Sequence, residues 1–144
     1  LRDADTIRLA LTAAETGHLV LASLHAGTPE RAVDRLIDAF PAGDKELVRS
    51  MLADTLLAVI AQVLCRPASG QGRIAALELL HATPAIRHQL REGRSSQLYS
   101  AMQTGARHGM QTLDQQLQQL VQAQRITLAE ARRHARFPEQ LADS

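Results

Sequence analysis

The stretch Thr12-Ala13-Ala14-Glu15-Thr16-Gly17-His18-Leu19-Val20-Leu21-Ala22-Ser23-Leu24-His25 restricts the fold more than any other part of the chain. An apolar stripe of Ile7, Ala10, Leu11 and Ala14 leads into it at helical spacing. Asp3 or Asp5 can cap the start of that helix, and Gly17 offers the left-handed residue that closes it. Between such signals Leu19 to Leu24 is too short for a helix, so a buried strand is expected, with a histidine at each end. Open α/β sheets build ligand sites where a buried strand presents a polar side chain at its C-terminal edge. The expectation is an α/β fold with His25 at its ligand edge.

The rest of the chain is read outward from this segment. Thr28-Pro29 is an N-cap followed by a first-turn proline, and it opens a helix carrying Ala32, Val33, Leu36, Ile37 and Phe40 up to Pro41. A third helix begins near Asp44 and places Val48, Leu52, Leu56 and Val59 on one stripe. Val59 to Leu64 and Arg73 to Leu80 are apolar runs around the turn cluster Pro67-Ala68-Ser69-Gly70-Gln71-Gly72, which predicts an antiparallel hairpin. A helix continuing to Leu64 is the alternative. Thr83-Pro84 repeats the cap-plus-proline start, and Gly93 ends that helix. Short helices follow from Ser96 to Thr104 and from Leu113 onward. Thr127-Leu128-Ala129-Glu130 has the pattern of a capping box, and the tail after Phe137-Pro138 is expected to fray.

Composition excludes several function classes. The aromatics are Phe40, Phe137 and Tyr99, so the core must be aliphatic and stacking platforms for single-stranded nucleic acid are missing. A formal net charge of +1 gives no basic footprint, and no nucleic-acid partner is expected. Cys65 alone supports neither a disulfide framework nor a cysteine zinc site. His81 and His88 fall on different expected elements, and His108 and His134 lack a partner at helical spacing, so no metal site is expected. No Gly-x-Ser-x-Gly nucleophile elbow occurs. Without a signal peptide or an apolar run long enough for a bilayer, a cytoplasmic protein with no transmembrane segment is expected. The chain opens at Leu1, without methionine and in mid-pattern, and is expected to belong to something longer.

Three sets of residues could carry chemistry. Lys45, the single lysine, sits in Pro-Ala-Gly-Asp-Lys-Glu, which has neither the glycine spacing nor the Ser/Thr of a phosphate loop. The histidines at 18 and 25 are an odd number of positions apart, which on an ideal strand points them to opposite faces. His25 can donate a hydrogen bond to a phosphate and register its loss; a histidine satisfied by backbone is the other reading, and fits His18 better. Arg87 and Arg91 share one helix face as i,i+4 like charges. That placement is unfavourable unless an acid or phosphate stands opposite; a solvated face is the plainer reading.

Leu1-Arg2-Asp3 with Asp5 to His18 resembles the end of the Walker B region running into the histidine box of PilT-type secretion ATPases. Ala85-Ile86-Arg87-His88-Gln89-Leu90-Arg91-Glu92 is similar to the Ala-Ile-Arg-Asn-Leu-Ile-Arg-Glu motif of pilus retraction ATPases. Gln103-Thr104-Gly105 and His108 to Asp114 look like the family's C-terminal helical segment. The three segments keep the family's order and cover the chain to about Gln119.

The resemblance implies the C-terminal part of a RecA-like ATPase domain with few strands over residues 1–80. A helical C-terminal region would occupy residues 81–144. It implies a homo-hexamer that hydrolyses ATP with Mg2+ and powers type IV pilus retraction and twitching motility. The motor would sit at the cytoplasmic face of the inner membrane and act through a pilus platform protein. The family's catalytic glutamate falls just before Leu1, so no catalytic residue is assigned here. His25 matches the second box histidine, near the γ-phosphate, and with His18 forms the nucleotide-sensing pair. Ala85, Ile86, Arg87, Arg91 and Glu92 match the coupling motif. His88, Gln89 and Leu90 depart from its middle, and Ala26 from the threonine that commonly follows the box. These departures keep a PilU-like accessory ATPase open. A non-catalytic module docking on a pilus motor or platform protein is a further alternative. A type II secretion ATPase ranks lower, because Cys65 cannot supply its four-cysteine zinc element.

Overall fold

The computed structural model describes residues 1–142 and is built of seven α-helices, a two-stranded hairpin and single 3₁₀ turns. Helix α1 spans Ala4–Glu15, with the Asp3 carboxylate accepting from the Thr6 backbone N–H at 2.9 Å. It closes at Gly17, whose φ of +90° is open to glycine at little strain, while the His18 N–H returns to the Ala13 carbonyl at 3.1 Å. Helix α2, Pro29–Asp38, opens at Thr28 with proline in its first turn. Helix α3, Lys45–Thr55, stops where Leu56 turns extended.

Strands β1, Ala58–Cys65, and β2, Ile74–His81, pair antiparallel, with Ala58 opposite His81 and Cys65 opposite Ile74. The hairpin expectation holds, and the continuous helix to Leu64 does not form. Helix α4 spans Pro84–Arg91, α5 Leu98–Thr104, α6 Leu113–Gln122 and α7 Leu128–His134.

One apolar core gathers Ile7, Leu11, Val33, Phe40, Leu52, Ile86, Leu98 and Met102 from α1 to α5 and the loop after α2. A second gathers Leu117, Val121, Ile126 and Leu141 around α6 and α7. The hairpin serves both, Leu80 entering the first and Cys65 and Ala76 the second.

Three local expectations are corrected. Leu19 to Leu24 is not a buried strand: it has no regular structure, and Leu19 and Leu21 are 74% and 88% exposed. A strand is held by its ladder, and among the described residues the sheet consists of β1 and β2 alone, so nothing pairs with this segment. The complete capping box lies at Thr112 and Gln115, opening α6. At Thr127 the hydroxyl accepts from the Glu130 N–H at 3.1 Å, but the Glu130 carboxylate turns away to accept from the Arg66 N–H at 2.7 Å. The tail is docked through Ala142, not frayed. Leu141 is buried, its carbonyl accepts from Arg132 at 3.0 Å, and the Ala142 backbone exchanges two hydrogen bonds with Gln118.

Candidate functional site

The histidine segment bridges the end of α1 and the start of α2. The His18 ring folds back on α1, its Nδ1 3.2 Å from the Ala13 carbonyl and 3.1 Å from the Thr16 hydroxyl. It joins its own backbone N–H and the Thr16 hydroxyl around the Ala13 carbonyl at the end of α1. The His25 ring is exposed and has no hydrogen-bond partner among the described residues. Its backbone carbonyl is held instead, accepting from Nη1 of Arg35 on α2 at 2.7 Å. The two histidines therefore differ in their contacts, although no strand separates them. Arg35 was not singled out by sequence reasoning, because its contact lies on the backbone of a loop.

The motif residues lie on α4. Thr83 caps the helix, its hydroxyl accepting from the Ile86 N–H, and Ile86 and Leu90 are buried in the first core. Arg87 and Arg91 point at the C-terminal end of α3. Arg87 Nη1 donates to the Ala53 carbonyl and, at 3.0 Å, to the Asp54 carbonyl. Arg91 pairs with the Asp54 carboxylate. The like-charge pair thus meets both an acid and two helix-terminal carbonyls, while the Arg91 side chain stays 45% exposed. Ala85 and Glu92 are exposed, and Glu92 lies 3.8 Å from Arg94. Asp54 had one sequence signal, an acid in the last turn of a helix, where the dipole disfavours it without a cation nearby.

No hydrogen bond or ion pair joins the histidine segment directly to α4 among the described residues. Lys45 is tied to Asp38 at 2.6 Å. Among the described residues no three His, Cys, Asp or Glu side chains converge to hold a metal ion. A separate pair of buried acids is formed by Glu78 on β2 and Glu30 on α2. Glu78, 3% exposed on β2, has its pKa pushed up to about 7, first by burial and then by Glu30. Arg136 reaches Glu30 at 2.7 Å and stacks over the Tyr99 ring at 4.0 Å.

Comparison with known proteins matches residues 1–140 to the family model described as "Type II/IV secretion system protein". A twitching motility protein of Neisseria gonorrhoeae is 51% identical over 142 residues, covering 99% of this chain and 38% of that protein. The type IV pilus retractation ATPase PilT of Pseudomonas aeruginosa is 51% identical over 139 residues, covering 96% of this chain and 40% of its own length. A crystal structure of the pilus retraction motor PilT with bound ADP superimposes with a TM-score of 0.86 at 40% identity, over 98% of this chain and 39% of that one. The chain spans about two fifths of the length of these relatives.

Proposed function

This chain belongs to the type II/IV secretion system protein family, and on that premise we propose that the protein containing it is an ATPase that powers type IV pilus retraction. The observation that carries this reading is collinear identity of 51% with a protein named as a pilus retractation ATPase, extending across 96% of the chain. The architecture fits: it follows a pilus retraction motor with bound ADP at a TM-score of 0.86.

In this reading His25 faces the γ-phosphate. Its ring is free to donate to a phosphate oxygen, while Arg35 holds its backbone in place. His18 closes α1 and sets where the segment leaves the helix. Arg87 and Arg91, with Ala85 and Ile86 on the same helix and Glu92 at its C-cap, pass the resulting movement on. Among the described residues no three His, Cys, Asp or Glu side chains converge on a metal ion, and the sequence carries no phosphate loop, so in this reading the phosphates are gripped by residues outside this chain. Leu19, Leu21, Ile60 and Leu64 are large apolar side chains left exposed, and they suit a surface that the rest of the ATPase domain covers. A homo-hexamer at the cytoplasmic face of the inner membrane, working on a platform protein, completes the proposal. No helix of the described residues is long and apolar enough to cross a membrane.

The test is ATP turnover and pilus retraction by the intact protein, with and without His25→Ala. Removal of a preorganised donor to a transferring phosphoryl group is expected to lower turnover by roughly a hundredfold. Unchanged turnover and retraction in His25→Ala would remove the sensor role. An intact wild-type protein that did not hydrolyse ATP would remove the ATPase reading altogether.

A further inference from the structure

We propose that Asp54 and the carbonyl end of α3 are the seat of the coupling motif, and that α3 is the lever joining that motif to the histidine segment. The proposal rests on the retraction-ATPase reading and deepens it.

Each of the two helices carries a placement that is unfavourable alone. On α4, Arg87 and Arg91 are like charges one turn apart. On α3, Asp54 sits in the last turn, at the negative end of the helix dipole. Together they cancel: Arg91 neutralises Asp54, and Arg87 occupies carbonyls of Ala53 and Asp54 that have no partner inside the helix. The Arg91 and Asp54 side chains are 45% and 56% exposed, so their pairing adds little to stability and can be broken and remade cheaply. Two helices that are satisfied when docked and mismatched when apart form an element with two arrangements, which a motor requires.

The other end of α3 is also tied. Asp44, the residue before Lys45, binds Nη2 of Arg8 on α1 at 2.9 Å. Helix α1 runs directly into Gly17 and His18. Val48, Leu52 and Ala53 bury the middle of α3, so it moves as one rod of roughly 16 Å for its 11 residues. A tilt imposed at Asp54 is then felt at Arg8, and through α1 at the histidine segment. Asp54 is accordingly a positioning residue that acts through Arg91 and α3.

The experiment uses the intact protein in the organism that carries it, and reads pilus retraction speed against ATP turned over. Asp54→Arg is expected to cut retraction at least fivefold while ATP turnover falls less than twofold. Adding Arg91→Asp to Asp54→Arg restores the ion pair with its sign reversed and should recover at least half of the lost retraction. A double variant no better than the worse single variant would overturn the seat.

The lever is tested from its far end with Arg8→Glu, which breaks the Asp44 contact. Asp44 makes no side-chain cap bond for that variant to disturb. Arg8→Glu should lower retraction per ATP threefold or more, and combining it with Asp54→Arg should add less than a further twofold. Fully multiplicative losses would overturn the lever. Absence of ATP turnover in the wild-type protein would strike the retraction reading instead. The seat is then judged by a double-mutant unfolding cycle on Asp54 and Arg91: losses that simply add would overturn it, and even the small coupling of a half-exposed pair supports it.

Discussion

Glu78 occupies the inner face of β2, paired across the hairpin with Ala61, where a carboxylate has no water to ionise into. Burial and the neighbouring Glu30 push its pKa up to about 7; the Leu113 N–H and Arg136 pull it partly back, and Asp114 raises it further. Arg136 is already committed to Glu30 and to the Tyr99 ring, while Oε2 of Glu30 is buried without a hydrogen-bond partner among the described residues. One guanidinium thus serves two buried carboxyls. From the ordinary 4.5 up to about 7 the folded chain keeps a proton that the unfolded chain has lost. Stability from this residue is therefore complete at low pH and falls as pH rises through that window, by about 3 kcal/mol in all. Glu130 runs the opposite way, its pKa lowered mainly by the Arg66 N–H, so the difference between variants isolates Glu78. Glu78→Gln should match wild type at acid pH and exceed it above pH ~7 in urea-unfolding midpoints. Parallel profiles for the two proteins would show that Glu78 ionises normally.

Between elements, contacts are tight enough to single out individual atoms. A Cβ on Gly105, which ends α5, would come within 2.3 Å of Met110 Cε and 2.8 Å of the Ala101 carbonyl. Met110 can shift but the carbonyl cannot, so Gly105→Ala should destabilise by about 1–3 kcal/mol in thermal unfolding. Arg87→Ala strips two donors from the end of α3 and should cost about 1–2 kcal/mol, visible in the same measurement. Loss of that size at Arg87, with a smaller loss at the half-exposed Arg91, would agree with carbonyl capping as the stronger part of the seat. Helix starts were legible because their signals are local. Asp3, Thr28 and Thr83 cap as their sequences suggest. The Thr127 pattern reads just as well, yet Glu130 is drawn to Arg66, 64 positions away, and no local rule registers such a competitor.

Across the molecule, two apolar cores are closed while Leu21, Leu19, Ile60 and Leu64 remain 88%, 74%, 64% and 52% exposed. Side chains of that size at that exposure favour association. The 144-residue chain alone is expected to self-associate in sedimentation, and Leu21→Ser with Ile60→Thr should shift it toward monomer. Persistent association of the double variant would place the sticky surface elsewhere. The same chain is expected to show no ATP turnover, since no phosphate loop lies within it; measurable hydrolysis would contradict that assignment.

By itself the sequence determined where most helices start and where α1, α2, α4 and α5 stop, that β1 and β2 form a hairpin, and the order of motifs that marks the family. These follow from caps, prolines, glycines and periodicity, which act over a few residues of chain. Tertiary structure alone decided that Leu19 to Leu24 stays unpaired, that Arg91 meets Asp54 from 37 positions away, and that Glu78 is shut in beside Glu30. Ladder pairing, ion pairing and desolvation depend on what distant chain brings to the same place, and spacing along a sequence carries no record of that.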